Sequence, residues 1–153
     1  MKEKEYMRLE SDSIGTMEVP EDAYYGVQAL RAKENFPITG TKLHPVFIKN
    51  LAKIKRAAAI TNRKAGRLKP EIANAIEASA NEVICGMFDK DFIVDGIQGG
   101  AGTSANMNMN EVIANRAIEM LCGKKGDYTI VHPNDHVNMA QSTNDVIPTA
   151  GKL

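Results

Sequence analysis

The sequence predicts a mainly α-helical fold with a short irregular or β-hairpin arm at its N-terminus. Over three long segments the apolar residues recur at steps of three or four, which is the spacing of one helix face. Aromatic residues make up only 5% of the 153 residues and tryptophan is absent, whereas methionine occurs eight times. This bias suits closely packed helices better than a β-sandwich. The length itself indicates a single domain, or one domain and the start of another.

The N-terminal arm contains several turn-forming residues and short alternating stretches. The segment 15–19 could pair as part of a small hairpin. Pro20, Glu21 and Asp22 then resemble a helix start, because proline fits the first turn and acidic side chains favour the positive end of the helix dipole. We therefore expect a helix over residues 23–33.

A long amphipathic helix is predicted over residues 42–68, with these apolar positions on one face: Leu43, Val46, Phe47, Leu51, Ile54, Ala58, Thr61, Ala65 and Leu68. Basic side chains lie on the opposite face: Lys49, Lys53, Arg56, Arg63 and Arg67. A phosphate-binding track is one interpretation of this stripe. A solvated face is the interpretation we adopt, because no aromatic residue lies between the bases to stack on a nucleic acid.

Two further helices follow. Pro70 suits the first turn of a helix that ends near Gly86, with Ile72, Ile76, Ala80, Val83, Ile84 and Met87 on its apolar face. The short apolar run 92–94 fits either a strand or a buried turn. The next helix begins at Thr103 or Ser104, both good N-caps, and stops at Gly123.

The overall charge and the cysteines restrict the class of protein. Nineteen basic residues balance nineteen acidic ones, so the chain lacks the basic excess typical of proteins that bind nucleic acid or anionic membranes. Cys85 and Cys122 each follow apolar residues, and we expect them to be reduced thiols packed in the core. The charged N-terminus does not fit a signal peptide, and no run of about 18 apolar residues could span a membrane. These features predict a soluble, cytoplasmic protein.

A glycine-rich turn precedes the third long helix, at residues 98–104. Backbone N–H groups and the helix dipole at such a place favour an anion, although a plain turn with a helix cap explains the residues too. No GK[ST] sequence closes the turn, so it is not a P-loop. Asn106, Asn108 and Asn110 follow in the first helical turns, where asparagine is unfavourable. Either they project amides into a pocket, or they form a buried polar network.

Two polar clusters lie near the C-terminal end. His132 and His136 stand four residues apart, but Pro133 opposes a regular helix there and no glutamate completes an HExxH motif, so we expect no metal site. The run 141–145 has five polar side chains, which suits a ligand that carries several oxygens.

These motifs identify a family. The stretches GTSANMNMNEVIANRA (102–117) and HPNDHVNMAQSTND (132–145) resemble the N-terminal domain of the aspartase/class II fumarase superfamily. The segments 10–15, 20–26 and 31–38 are also similar to the opening of those enzymes. The resemblance implies a lyase N-terminal domain over 1–142 and the beginning of a central helical bundle over 143–153.

Within the superfamily, the motifs QGGAGTS and QSTND are similar to those of aspartate ammonia-lyases. Fumarases typically have serine where Ala101 and Thr143 stand here. The resemblance therefore implies reversible conversion of L-aspartate to fumarate and ammonia by a homotetramer, without a cofactor. A class II fumarase acting on malate and fumarate is the nearer alternative. A non-enzymatic helical interaction domain is the more distant one.

The resemblance also implies roles for individual residues. Thr103, Ser142, Thr143 and Asn144 match the positions that bind the substrate's carboxylates and amine. His132, Asn134 and Asp135 match a second, non-catalytic dicarboxylate pocket of fumarases, although bracing of the loop explains them equally well. The family's proton-abstracting serine lies on a Gly-Ser-Ser loop and is aided by a Thr-His pair. Neither Ser-Ser nor Thr-His occurs in these 153 residues, so we expect no catalytic base in this chain and no lyase activity from it alone.

Overall fold

The N-terminal arm forms the expected hairpin. A computed structural model describes residues 6–153 of the chain. Strand β1 (Met7–Ser11) pairs antiparallel with β2 (Thr16–Pro20), and Arg8 lies opposite Val19. The turn between the strands is closed by the Asp12 carboxylate, whose Oδ1 accepts hydrogen bonds from the backbone N–H groups of Ile14 and Gly15 at 2.9 and 3.0 Å.

The first helix begins later than the sequence predicts. Helix α1 spans Val27–Asn35, and Pro20 is the last residue of β2 and not part of a helix. The predicted start at residues 20–23 is wrong because distant carboxylates, and not the local acids, satisfy the free N–H groups of this helix. Glu111 accepts hydrogen bonds from the N–H groups of Gly26, Gln28 and Ala29 at 2.9–3.0 Å.

A second buried glutamate completes this cap. Glu10 accepts hydrogen bonds from the N–H of Val27, the Tyr128 hydroxyl and the Arg8 guanidinium at 2.8–2.9 Å. The pKa of Glu111 is raised to about 7, mainly by burial and in smaller part by the nearby Glu10 carboxylate, while the backbone hydrogen bonds oppose the rise. Four consecutive N–H groups at the start of α1 thus depend on two side chains that are distant in sequence.

Helices α2 (Pro45–Lys64) and α3 (Pro70–Ile84) pack against each other as a helical hairpin. His44 caps α2, because its Nδ1 accepts a hydrogen bond from the N–H of Val46. Gly66 ends the helix in a left-handed conformation (φ 69°), which only glycine adopts without strain.

The buried face of α2 differs from the predicted one. The buried side chains are Ile48, Asn50, Leu51, Ala52, Lys55, Ala59 and Asn62. Val46 is 56% exposed, and Thr61 and Ala65 are also exposed. The predicted face is rotated because the true stripe includes a lysine and two asparagines, which have hydrogen-bond partners and do not appear in a pattern of apolar positions. On α3, Met87 lies beyond the helix end and is 61% exposed, contrary to expectation.

Helix α4 (Thr103–Met120) is the centre of the fold, and every residue from 105 to 115 is buried. It contacts α1, α2, α3 and the final helix α5 (Thr143–Lys152). A helix that is enclosed on all sides needs no amphipathic pattern, which explains how polar asparagines occupy its interior. Neither α4 nor any other helix within residues 6–153 is long and apolar enough to cross a membrane.

Two short helical turns connect these helices. Asp89–Asp91 forms a 3-10 turn, after which Phe92 and Val94 are buried. The run 92–94 is thus an irregular, largely buried segment and not a strand. Pro133–Val137 forms a single π-helical turn that packs against α4.

The cap of α4 and the environment of the cysteines differ from the predictions. Gly102, and not Thr103 or Ser104, is the N-cap of α4, and the Gln98 side chain accepts the hydrogen bond of the Ala105 N–H at 2.6 Å. Cys85 and Cys122 are free thiols, as expected, but both are exposed and do not lie in the core. They follow the last residues of α3 and the C-cap of α4, where the chain turns away from the buried stripe.

Candidate functional site

The first turns of α4 and α5 lie side by side. The Asn106 amide Nδ2, one turn into α4, donates a hydrogen bond to Thr143 Oγ1 at 3.1 Å. A Cβ atom on Gly102 would lie 2.9 Å from Ile147 Cγ2, one turn into α5. These contacts bring the start of α4, whose first residue is Thr103, next to the start of α5.

The side chains at this surface are available to a ligand. Thr103, Ser142 and Asn144 are exposed, and Thr143 is half-buried. Ser142 caps α5, since its Oγ accepts a hydrogen bond from the N–H of Asn144 at 3.2 Å. No acidic residue lies in the first turn of α4, whereas the exposed Asp145 lies in the first turn of α5. The starts of two helices, with hydroxyl groups and an amide among their side chains, therefore lie close together, and such groups suit a carboxylate.

A buried polar network supports this surface from below. Asn106 Nδ2 also donates to Asn138 Oδ1 at 3.1 Å. Asn138 Oδ1 and Gln141 Oε1 in turn accept hydrogen bonds from the Lys55 amine at 2.8 and 3.0 Å. Lys55 is fully buried, and this burial lowers its pKa to about 7. The network extends from the middle of α2 to the Thr143 hydroxyl.

Of the other two asparagines in this cluster, Asn108 joins α4 to a neighbouring buried segment, whereas Asn110 does not. Asn108 accepts a hydrogen bond from the N–H of Ile93 and donates one to the Asp91 carbonyl, both at 2.9 Å. Asn110 contacts the Met107 sulfur at 3.5 Å, and its buried Oδ1 has no hydrogen-bond partner within residues 6–153. Of the two interpretations of this asparagine cluster, the geometry favours the buried polar network.

The second set of predicted residues lies on a different part of the surface. His132 and Asn134 line a cleft of about 450 Å³, together with Arg31. The Arg31 guanidinium forms two hydrogen bonds with Asp12, each of 3.0 Å, so its charge is already paired. Asp135 is exposed and approaches His132 Nδ1 at 3.5 Å.

The two histidines of this region each use Nδ1 as a hydrogen-bond acceptor. His132 Nδ1 accepts hydrogen bonds from the N–H groups of Asn134 and Asp135, both at 3.2 Å. His136 Nδ1 accepts one from the N–H of His132 at 2.8 Å. In the part of the chain that the structure describes, no group of three or more His, Cys, Asp or Glu side chains could hold a metal ion.

Sequence reasoning missed the residues that support the site. The predicted faces of the 42–68 helix do not include Lys55, and Asn138 lies within the motif 132–145 without a predicted role. The signal for Lys55 is its position, because it lies four residues after Leu51 and four before Ala59, which are both buried. A lysine on an apolar stripe indicates a buried amine with dedicated partners.

Comparison with known proteins agrees with the motifs. Residues 15–153 match the family described as Lyase. An aspartate ammonia-lyase of Bacillus sp is 56% identical over 94% of this chain and 31% of its own length. A class II fumarate hydratase of Halobacterium salinarum is 57% identical over 94% of this chain and 30% of its own length.

A solved structure has the same fold. The fumarate lyase:delta crystallin of Brucella melitensis superposes with a TM-score of 0.93 and 51% identity, covering 95% of this chain and 34% of that one. The chain thus spans about a third of the length of the proteins it matches. Family match, relatives and fold all agree, and the chain belongs to the Lyase family, as the resemblance to the aspartase/class II fumarase superfamily implies.

Proposed function

We propose that the protein containing this chain is an aspartate ammonia-lyase, which reversibly converts L-aspartate to fumarate and ammonia. The observation that carries this proposal is the contact between the starts of α4 and α5, because these two starts contain Thr103, Ser142, Thr143 and Asn144. The Bacillus relative supports it, as do Ala101 and Thr143, where fumarases typically have serine. This chain would then supply part of the substrate site.

The reaction explains why such a surface is useful. When the C3–H bond breaks, its electron pair moves into the adjacent carboxylate, which gains a second negative charge. The C–N bond then breaks, the C2–C3 double bond forms, and ammonia leaves. Hydrogen-bond donors that already point at the carboxylate oxygens stabilise this charge more than the charge of the substrate. Thr103, Ser142 and Thr143 would act in this way, and Asn144 would bind the amine or a carboxylate.

Further parts of the proposal concern the whole protein. The proton-abstracting serine would come from a Gly-Ser-Ser loop that is not among these 153 residues. Residues 1–142 would be the N-terminal domain, and 143–153 would begin the central helical bundle of a cytoplasmic homotetramer. His132, Asn134 and Asp135 would form a second dicarboxylate pocket or brace their loop.

The test is a comparison of two substrates on the protein that contains this chain, expressed from its own gene. We expect L-aspartate to yield fumarate and ammonia in equal amounts, detected by ultraviolet absorbance and an ammonia assay. We expect L-malate to yield no fumarate. The Halobacterium relative makes class II fumarase the second candidate, because it is as similar as the Bacillus protein. Fumarate from malate and none from aspartate would contradict our proposal and support that alternative.

A further inference from the structure

Lys55 occupies an unusual place for a lysine. It is fully buried on the core-facing side of α2. Its amine donates hydrogen bonds to Asn138 Oδ1 and Gln141 Oε1, and it forms no ion pair within residues 6–153. A buried amine without a carboxylate partner is costly. A role in the site above it would explain why it is there.

The hydrogen bonds from Lys55 fix the orientation of each group in turn. The Lys55 amine donates to Asn138 Oδ1, and Asn138 Nδ2 donates to the Gln141 carbonyl, so Asn138 presents its oxygen to the amine. That same oxygen needs a donor from Asn106, which therefore presents its NH2 group to both Asn138 and Thr143. Thr143 Oγ1 accepts this hydrogen bond, and its own hydrogen is left to point away from Asn106.

The Asn106 amide keeps this orientation although it leaves one of its own atoms without a hydrogen bond. Its Oδ1 is buried and has no hydrogen-bond partner in the described part of the chain. Asn138 Nδ2 also donates to the Gln141 carbonyl, at 3.2 Å, so without Lys55 this one longer hydrogen bond would be left to oppose a half-turn of both amides. If both amides did rotate, the network would reverse. Asn106 would then offer its oxygen to Thr143, whose hydroxyl would turn inward to donate to it. The Thr143 hydroxyl hydrogen would then no longer be available to a ligand.

We propose that Lys55 is a positioning residue that acts through Asn138 and Asn106 to direct the Thr143 hydroxyl hydrogen at the substrate carboxylate. This inference rests on the proposed function, in which Thr143 binds that carboxylate. It adds a residue from the core of α2 to the machinery of the site.

The experiment is a double-mutant cycle on the protein that contains this chain. Lys55→Met roughly keeps the length of the side chain and removes the amine with its N–H donors. We expect it to lower kcat/KM for L-aspartate about 10- to 100-fold, comparable to loss of an orienting partner elsewhere, and to weaken binding of succinate, a dicarboxylate that cannot be deaminated. Lys53→Met, an exposed site on the same helix, is the matched control and should change neither quantity.

The cycle separates positioning from general loss of structure. In a Thr143→Val background, where no hydroxyl remains to be directed, Lys55→Met should change kcat/KM and succinate affinity by less than about twofold, because the effects of coupled residues are not additive. Thermal unfolding checks that each variant folds. If Lys55→Met does not fold, Asn138→Leu breaks the same chain of hydrogen bonds and is expected to behave identically.

Two results would overturn the inference: a folded Lys55→Met protein with wild-type values, or effects of Lys55→Met and Thr143→Val that multiply. Absence of turnover of L-aspartate by the wild type would instead contradict the proposed function. The succinate cycle would still test Lys55 in that case, and failure of the wild type to bind succinate would count against both.

Discussion

Replacing Glu111 by leucine is expected to lower the free energy of unfolding by about 3–5 kcal/mol, as removal of one member of a buried polar cluster does. The Glu111 carboxylate is the acceptor for three backbone N–H groups at the start of α1, and it is fully buried. Leucine fills the space but accepts no hydrogen bond, so these donors would be left without partners. Urea denaturation measures the change.

The matched control is Glu34→Leu, an exposed glutamate on α1. It should change the free energy of unfolding by less than about 0.5 kcal/mol. An equally small effect of Glu111→Leu would show that the N-terminus of α1 does not depend on this carboxylate.

The same residue makes stability depend on pH. The pKa of Glu111 is raised from 4.5 to about 7 in the folded chain. Between these values the unfolded chain releases the proton and the folded chain retains it, so its contribution to stability is present below pH 4.5 and is lost as the pH rises through 7. Glu111→Gln cannot titrate. We therefore expect the stability of the wild type, relative to Glu111→Gln, to fall across this window.

Replacing Thr143 by valine is expected to lower kcat/KM for L-aspartate about 10²- to 10³-fold, the usual cost of removing one donor to a developing oxyanion. Valine has nearly the same shape, so the change removes the hydroxyl and little else. Steady-state kinetics on the protein that contains this chain measure the loss.

Thr143→Ser is the control, because it retains the hydroxyl that Asn106 orients. We expect it to keep kcat/KM within about 10-fold of the wild type, because serine lacks only the methyl group and so loses one apolar contact. Wild-type activity in Thr143→Val would mean that this hydroxyl does not contact the substrate's reacting carboxylate.

Local signals predicted most of the helices. Pro70 and Gly86 bound α3 much as predicted, because a proline at the first turn and a glycine at the end act on the backbone itself. The start of α1 could not be predicted in this way. Its cap comes from Glu10 and Glu111, and only the tertiary fold brings these carboxylates to residues 26–29.

The candidate site shows the same division. The motifs contain the exposed residues Thr103, Ser142 and Asn144, which offer polar groups to a ligand directly. The support beneath them depends on which polar residues are buried. Lys55 lies on the buried stripe of α2, but it is a basic residue. A search for apolar positions therefore does not find it.

The most direct test of the account is a crystal structure of the protein that contains this chain with succinate bound. We expect one succinate carboxylate at the first turns of α4 and α5, about 3 Å from Thr143 Oγ1, at hydrogen-bond distance, and next to Thr103. Succinate bound only in the cleft of His132 and Asn134, with none between the two helix N-termini, would contradict the assignment of the substrate site.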